Sequence, residues 1–141
     1  MNDVLIRKAT PADADAVKVL FQEELSFFGY LPNNDLDSDI LRFPDTYSNG
    51  TFMLAEWQMT AIGMGGLLNG ELRRIYIRQD FRAKGIGSKI MRALLEKHRG
   101  EVTAVVRKEN APMIGMLTKF GFSYYSDHPR WVFCAIYKKA P

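Results

Sequence analysis

The spacing of apolar and polar residues along the chain predicts an alternation of strands and helices. Apolar runs and alternating polarity predict strands, whereas apolar residues three and four positions apart predict helices. The predicted strands cover residues 4–8, 51–56, 61–68, 71–77, 102–107, 124–125 and 131–137. The predicted helices cover residues 11–28, a short segment ending at Phe43, a segment from the turn at 82–88 to about His98, and residues 111–120. This order indicates an α/β fold around a mixed sheet.

Residues 72–95 join an extended segment to an amphipathic helix through a glycine-containing turn. Simple alternation in the extended segment predicts one face with Leu72, Arg74 and Tyr76 and an opposite face with Ile75 and Ile77. Earlier in the chain, the glycines at positions 63, 65 and 66 weaken the predicted strand, which is typical of a bulge or of a close approach by a ligand.

The turn at residues 82–88, Arg-Ala-Lys-Gly-Ile-Gly-Ser, has the composition of an anion site. The first amides of a helix lack intrahelical partners, and glycines at 85 and 87 let an anion approach them. Arg82, Lys84 and Lys89 add positive charge. The alternative is that the glycines only form a turn between the strand and the helix, and that the basic side chains only face solvent. Spacing excludes a dinucleotide fingerprint, which needs glycine where Ile90 stands, and a P-loop, because Ser88 rather than lysine follows the second glycine.

Composition is that of an ordinary soluble domain of 141 residues, with 47% hydrophobic and 25% charged residues. The net charge of +3 suits a polyanionic small molecule and is too weak to indicate a nucleic acid or a membrane as partner. Cys134 is the single cysteine, and its apolar neighbours favour a buried strand residue over a nucleophile. Two histidines without paired ligand spacing predict no metal site. The N-terminus lacks a signal pattern, and we expect a cytoplasmic protein.

Several motifs in the same order resemble the GCN5-related N-acetyltransferases. Arg82-x-x-Gly85-x-Gly87 fills the acyl-CoA signature of that family, and residues 71–77 resemble its fourth strand. Asn110 and the run Lys119-Phe120-Gly121-Phe122 resemble its later motif. The resemblance spans nearly the whole chain. It implies one domain over residues 1–141, with a mixed, mostly antiparallel sheet of six to seven strands flanked by about four helices.

The resemblance also implies a donor, acetyl-CoA, and a set of residues that bind it. The main-chain groups of Ile75, Tyr76 and Ile77 would bind the pantetheine arm and polarise the thioester carbonyl. The pyrophosphate would lie on the turn, bound by the residues Arg82, Ala83, Lys84, Gly85, Ile86, Gly87 and Ser88. Asn110 would contact the cofactor arm from the opposite side of the cleft. A simple helix cap before Ala111-Pro112 explains Asn110 equally well, and both roles are compatible.

Acetyl transfer to an amine needs a base, and Glu71 at the start of the fourth strand is the first candidate. An exposed residue at the end of a strand is its structural alternative, and Glu56 is a second choice for the base. The family tyrosine that often serves as general acid lies four residues before the glycine of the Gly-Phe pair, where this chain has Leu117. Tyr124, Tyr125 and His128 follow nearby, but adjacent aromatic residues in a strand are usually packing residues.

The acceptor is an amine that the sequence does not identify, on a small molecule or on a protein lysine. Its binding loops are expected near residues 27–39 and 123–131. Asp35, Asp37 and Asp39 either attract a cationic amine or form a solvated turn, which Asn and Asp favour. The missing tyrosine leaves a non-catalytic acyl-CoA sensor as the rival function. The resemblance is compatible with a homodimer.

Overall fold

The computed structural model describes residues 3–96 and 98–141. Met1 and Asn2, on which the expectation about a signal pattern partly rests, lie outside the described residues. The strands are β1 (Leu5–Lys8), β2 (Thr51–Trp57), β3 (Thr60–Leu68), β4 (Glu71–Ile77), β5 (Val102–Arg107), β6 (Ser123–Asp127) and β7 (Cys134–Lys139). The helices are α1 (Ala14–Phe28), α2 (Ser38–Leu41), α3 (Ile86–Leu95) and α4 (Ala111–Lys119). Short 3₁₀ helices precede α1, β2 and the 82–88 turn.

The strands form one 7-stranded sheet in the order β1-β2-β3-β4-β5-β7-β6. Every neighbouring pair is antiparallel except β4 and β5, which are parallel. This confirms the predicted mixed, mostly antiparallel sheet with its four helices. The last strand begins at Cys134 instead of Trp131, because the Cys134 amide donates to the Trp131 carbonyl at 2.7 Å and closes a turn there.

Two apolar layers cover the sheet, one on each face. Helices α3 and α4 cover one face, where the core includes Leu72, Ile90 and Leu117. Helix α1 covers the other, where Val17 and Tyr76 pack together. In the parts of the chain that the structure describes, the longest helix has 15 residues, and no helix is both long and apolar enough to cross a bilayer.

A β-bulge interrupts β4. Between the pairs Met64–Tyr76 and Gly66–Arg73, β3 contributes the single residue Gly65, whereas β4 contributes two residues. One of these, Arg74, has a left-handed backbone with φ 65°. The bulge reverses the alternation of β4, so that Leu72 and Tyr76 pack on opposite faces of the sheet. The predicted common face for these residues is wrong, because it assumed an uninterrupted strand.

The glycines of β3 make room for core side chains and not for a ligand. A methyl group added at Gly65 would lie 2.5 Å from Ile75 Cδ1 and 2.7 Å from Ile90 Cγ2, so α3 presses directly on the strand. At Gly66 it would lie 2.7 Å from the Tyr47 ring. The predicted bulge is present in β3, where Ile62 is the extra residue between the pairs Ala55–Gly63 and Glu56–Ala61. A separate bulge lies opposite Gly65, and its extra residue belongs to β4.

The sheet opens between β4 and β5. These strands pair only at Glu71–Thr103 and Leu72–Ala104, whereas β4 stays paired with β3 as far as Ile77. Beyond Leu72 the two parallel strands therefore diverge, and no strand of the described residues pairs with the second half of β4 on the β5 side.

Candidate functional site

Two cavities meet where β4 leaves β5. The larger one, which we call the loop cleft, has a volume of about 380 Å³ and lies between the 82–88 turn, the end of β4 and the start of α4. The smaller one, the β4–β5 pocket, has a volume of about 110 Å³ and lies between β4, β5 and α1. Both are lined by Phe28, Ile75, Asn110 and Met113. The two cavities therefore adjoin beside the bulge of β4.

The 82–88 turn presents a row of free amides to the loop cleft. The backbone N–H groups of residues 83–88 donate to no protein acceptor within the described ranges, and the first helical bond of this segment runs from Lys89 to the Gly85 carbonyl. Ala83 and Gly85 both have left-handed backbones, with φ 60° and 79°. Successive amides in such conformations form concave anion sites, and the helix dipole adds positive potential there.

The two glycines of the turn serve different purposes. At Gly85 an added methyl group would meet nothing within 4 Å, so its requirement is the positive φ. At Gly87 the backbone is ordinary, but an added methyl group would come 3.3 Å from Met116 Sδ, across the floor of the cleft. A larger side chain at Gly87 would therefore occupy the space in front of the amides.

The three basic residues predicted to surround this turn are divided between solvent and the cleft. Lys84 and Lys89 are exposed. Arg82 turns inward, where its Nε donates to the Ile77 carbonyl at 2.9 Å and its guanidinium lies 4.2 Å from the centre of the Phe27 ring. The turn thus has two exposed lysines outside and one guanidinium within the cleft.

The predicted cofactor residues of β4 lie at the opening of the sheet. Ile75, Tyr76 and Ile77 all line the loop cleft. Within the described residues no strand pairs with their edge on the β5 side, although the Ile77 carbonyl accepts from Arg82 Nε. Tyr76 is buried in the core under α1, while Ile75 and Ile77 pack against the core under α3. Only their main-chain groups are therefore available for hydrogen bonds with a ligand.

Asn110 caps α4 and also borders both cavities. Its Oδ1 accepts from the Met113 amide at 3.3 Å, which satisfies one of the free donors at the helix start. Because the same residue lines the loop cleft and the β4–β5 pocket, the cap positions it between them. The geometry allows the two roles considered for this residue.

Glu24 is a pocket residue that sequence reasoning did not select. It projects from α1 into the β4–β5 pocket and is partly buried. Removal from water raises the pKa of its carboxyl to about 7, although the positive charge of Arg74 acts in the opposite direction. The sequence signal was present, since Glu24 lies four residues after Leu20 and four before Phe28, on the apolar stripe of the helix.

Asp37 and Asp39 are buried, with 3% and 4% of their surfaces exposed. The Arg74 guanidinium lies 2.9 Å from an Asp37 oxygen and 2.7 Å from an Asp39 oxygen, and Arg73 lies 3.1 Å from Asp39. Burial alone would raise the pKa of Asp39, but the hydrogen bonds and charge of Arg74 hold it below its usual range.

This cluster overturns both interpretations of the acidic loop for these two residues. Asp37 and Asp39 are neither solvated nor free to attract an amine, because the bulge of β4 directs two adjacent guanidinium groups at them. Asp35 alone stays exposed, where it pairs with Arg130.

Glu71 and Glu56, the bases considered from the sequence, lie outside both cavity linings. Glu71 is partly exposed and its carboxylate lies 3.3 Å from Arg73 Nε. Burial raises the pKa of Glu71, against the charge of Arg73. Glu56 pairs with Arg7 at 2.9 Å, on the far strands of the sheet.

The expected position of the general acid borders a cavity, but the nearby residues that could donate a proton do not. Leu117 is fully buried and lines the β4–β5 pocket, so an aliphatic side chain occupies the expected tyrosine position. Tyr124, Tyr125 and His128 line neither cavity. Cys134 is buried in a strand as predicted and faces the pocket, and burial raises the pKa of its thiol.

Comparison of the sequence with known proteins finds a family profile and two curated relatives that match this chain. The profile of the Acetyltransferase (GNAT) family matches residues 17–122. The L-methionine sulfoximine/L-methionine sulfone acetyltransferases of Pseudomonas aeruginosa and Pseudomonas paraeruginosa are 32% identical over 60 residues, which are 40% of this chain and 35% of each relative. The match thus spans about a third of the length of those curated relatives.

Solved structures share the fold over its whole extent. A GNAT-family acetyltransferase from Staphylococcus aureus superposes with a TM-score of 0.85 at 15% identity, covering 97% of this chain and 98% of the other. The paia N-acetyltransferase from Thermoplasma acidophilum, in complex with coenzyme A, gives 0.71 at 20% identity, covering 98% and 99%. Because the family profile extends from the first turns of α1 to the residues after α4, this chain belongs to the acetyltransferase (GNAT) family.

Proposed function

We propose that this protein is an acetyl-CoA-dependent N-acetyltransferase that acts on a primary amine by direct attack in a ternary complex. The observation that carries the proposal is the junction of the loop cleft with the β4–β5 pocket at the β4 bulge. A thioester in one cavity and an amine in the other would have their reacting atoms side by side, as a one-step transfer requires. Family membership supports acetyl-CoA as the donor, and the T. acidophilum structure with the same fold contains coenzyme A.

The donor would lie along the loop cleft. The free amides of residues 83–88 would bind its pyrophosphate, with Lys84 and Lys89 adding charge from outside. The edge of residues 75–77, apart from the Ile77 carbonyl that Arg82 already binds, would hydrogen-bond the pantetheine arm and the thioester carbonyl, where an N–H stabilises the developing oxyanion. Asn110 would contact the arm from the α4 side.

The acceptor would enter the β4–β5 pocket and lose a proton there. We place Glu24 first as the base, because it lines that pocket and a carboxyl with a pKa of about 7 accepts a proton near neutral pH. Glu71 stays the alternative base, reached through a water or by a change of its pairing with Arg73.

The bond changes follow from this placement. The neutral amine nitrogen attacks the thioester carbon, the N–C bond forms, the C–S bond breaks, and coenzyme A leaves as a thiolate. The ammonium form of the acceptor gives one proton to the Glu24 carboxylate before the attack, and the nitrogen releases a second proton to solvent as the amide forms. Because Leu117 provides no proton, we expect the sulfur to be protonated from solvent, which a thiol pKa of about 8.5 permits.

The name of the Pseudomonas relative describes acetyl transfer to L-methionine sulfoximine and L-methionine sulfone, and the likeness supports a small molecule as acceptor here. The rival function is an acyl-CoA sensor that does not transfer, which the buried Leu117 favours. Three further predictions stay open to experiment. Cell fractionation tests a cytoplasmic location, light scattering tests a homodimer, and limited proteolysis tests a single domain over residues 1–141.

Release of free thiol from acetyl-CoA, measured with a panel of amines, tests the proposal. We expect transfer by the wild type, and loss of coenzyme A binding in Gly87→Glu because its carboxylate would fill the space before the amides. Gly115→Glu is the matched control, since that glycine is exposed on α4 and outside both cavities. Thermal stabilisation by coenzyme A without thiol release would indicate the sensor, and unchanged affinity in Gly87→Glu would contradict the assigned cleft.

A further inference from the structure

Arg107 is a cation held at the wall of the β4–β5 pocket. It is the last residue of β5 and lines the pocket together with Tyr30 and Glu24. Its guanidinium carbon lies 3.6 Å from the centre of the Tyr30 ring and 4.8 Å from that of Phe133. The rings hold the flat face of the guanidinium, and its N–H groups lie around the edge.

Arg107 differs from the other two arginines of this pocket in its pairing. Arg73 and Arg74 both form ion pairs with aspartates. Arg107 has no carboxylate oxygen within 4.0 Å, and its side chain donates no hydrogen bond to a protein acceptor, in residues 3–96 and 98–141. A half-buried guanidinium without a carboxylate partner has donors available to bind an anion.

Arg107 and Glu24 give the β4–β5 pocket a cationic group and an acidic group on different walls. Both residues line the same pocket, and they form no direct ion pair in the described part of the chain. A ligand between them would meet a carboxylate on α1 and a guanidinium on β5. The volume of about 110 Å³ suits a small molecule with both charges close together.

We propose that the acceptor carries a carboxylate near its amine, as an α-amino acid does, and that Arg107 binds that carboxylate while Glu24 faces the amine. The inference rests on the proposed function and specifies its substrate class. A planar guanidinium can bind a carboxylate through two parallel hydrogen bonds, which fixes the direction of the amine as well as its affinity. The alternative is that Arg107 only packs between Tyr30 and Phe133.

Matched acceptor pairs separate these possibilities: leucine with isopentylamine, and phenylalanine with phenethylamine, which differ only in the carboxylate. We expect wild-type kcat/KM for the amino acid to exceed that for the amine by about tenfold or more. In Arg107→Gln the ratio should fall to about one, because KM for the amino acid rises far more than KM for the amine. Arg107→Lys keeps the charge without the fork and should retain part of the preference.

Arg92→Gln is the matched control, because Arg92 also lies over an aromatic ring, Phe120 at 5.8 Å, outside both cavities. Its ratio should equal that of the wild type. A wild type that prefers the amines, or an Arg107→Gln variant that keeps the preference, would overturn the inference and leave the proposed function standing. Thermal unfolding of each variant with coenzyme A shows whether the variant is folded. If Arg107→Gln is not folded, the amino acid preferences of Arg107→Lys and of the wild type decide whether the inference holds. Absence of thiol release with every acceptor would overturn the proposed function itself.

Discussion

Glu24 shows how burial changes the chemistry of one carboxyl group. The same side chain on an exposed helix would be ionised at neutral pH, but in the β4–β5 pocket desolvation raises its pKa to about 7. Arg74, Arg107 and Arg82 oppose this shift, and Asp37 reinforces it. The balance of these groups leaves Glu24 able to gain or lose a proton near neutral pH, which is the property required of a general base.

Glu24→Gln should remove the limb of the pH–rate profile that the wild type shows near pH 7. In the wild type, kcat/KM should rise with pH through about 7, because the carboxyl must be ionised to accept the proton. We expect the variant to lose about 10²- to 10⁴-fold in kcat and to keep its affinity for coenzyme A. Glu71→Gln is the comparison: if it removes the limb and Glu24→Gln does not, the base is Glu71.

The same Glu24→Gln variant should be more stable than the wild type at pH 8. The folded pKa of about 7 lies above the ordinary value of 4.5, so the folded state binds more protons between these values and the wild type loses stability as pH rises through that window. Because glutamine has no charge to bury, the variant avoids this loss. Its free energy of unfolding should exceed that of the wild type by about 1 to 3 kcal/mol above pH 7. Urea unfolding at pH 4 and pH 8 measures it; equal effects at both pH values would contradict the burial of this charge.

Strand β4 is the element that creates the site. Its bulge directs Arg73 and Arg74 to the same side of the sheet, and its divergence from β5 opens the two adjoining cavities. Across the sheet, the side of β3 that faces α3 has no side chain at Gly65, so the helix lies close to the strands. The position of the 82–88 turn at the start of α3 therefore depends on a residue of β3 that is remote from it in sequence.

Gly65→Ala should destabilise the fold, whereas Gly115→Ala should stabilise it. The new methyl group at Gly65 would overlap Ile75 and Ile90 at 2.5 and 2.7 Å, and overpacking of this kind costs about 1 to 3 kcal/mol. At Gly115, in exposed α4, nothing lies within 4 Å and alanine favours the helix by about 0.5 to 1 kcal/mol. Chemical denaturation of both variants gives the two signs; a neutral Gly65→Ala would show that α3 can shift freely.

The molecule as a whole is linked across its layers by the ionic cluster of Arg74. This arginine of β4 pairs with Asp37 at the start of α2 and with Asp39 within α2, and it lies 5.5 Å from the Phe21 ring of α1. Tyr47 donates a hydrogen bond to Asp39 at 2.7 Å and so connects the segment before β2 to this cluster. A buried network with its partners satisfied fixes the geometry of the pocket walls, and removal of one member leaves buried charge behind.

Arg74→Met should lower the free energy of unfolding by about 3 to 5 kcal/mol at pH 7, because it leaves two buried carboxylates without their main cation. The effect should shrink as pH falls below about 4. The folded pKa of Asp39 lies below its unfolded value, so its stabilisation is present above the unfolded pKa and is lost as pH falls through the folded one. Denaturation from pH 3 to 7 measures this; a loss that is constant with pH would indicate packing instead of charge.

Sequence patterns predicted most of this protein because they report local interactions. The spacing of apolar residues located nearly every strand and helix, and the glycine turn at 82–88 identified the loop cleft through amides that any helix start leaves free. The order of motifs then predicted the family and the mixed sheet. Backbone geometry and helix periodicity act between near neighbours, and they are legible in the sequence.

Tertiary structure decided what depends on groups distant in the chain. The β4 bulge reversed the predicted faces of that strand, and its two arginines buried the aspartates of a loop expected to be solvated. The pKa of Glu24 and the unpaired charge of Arg107 arise only when α1 and β5 meet around one pocket. Desolvation and charge pairing depend on distance in space, so the sequence alone determined the fold and the loop cleft, and folding determined the chemistry of the β4–β5 pocket.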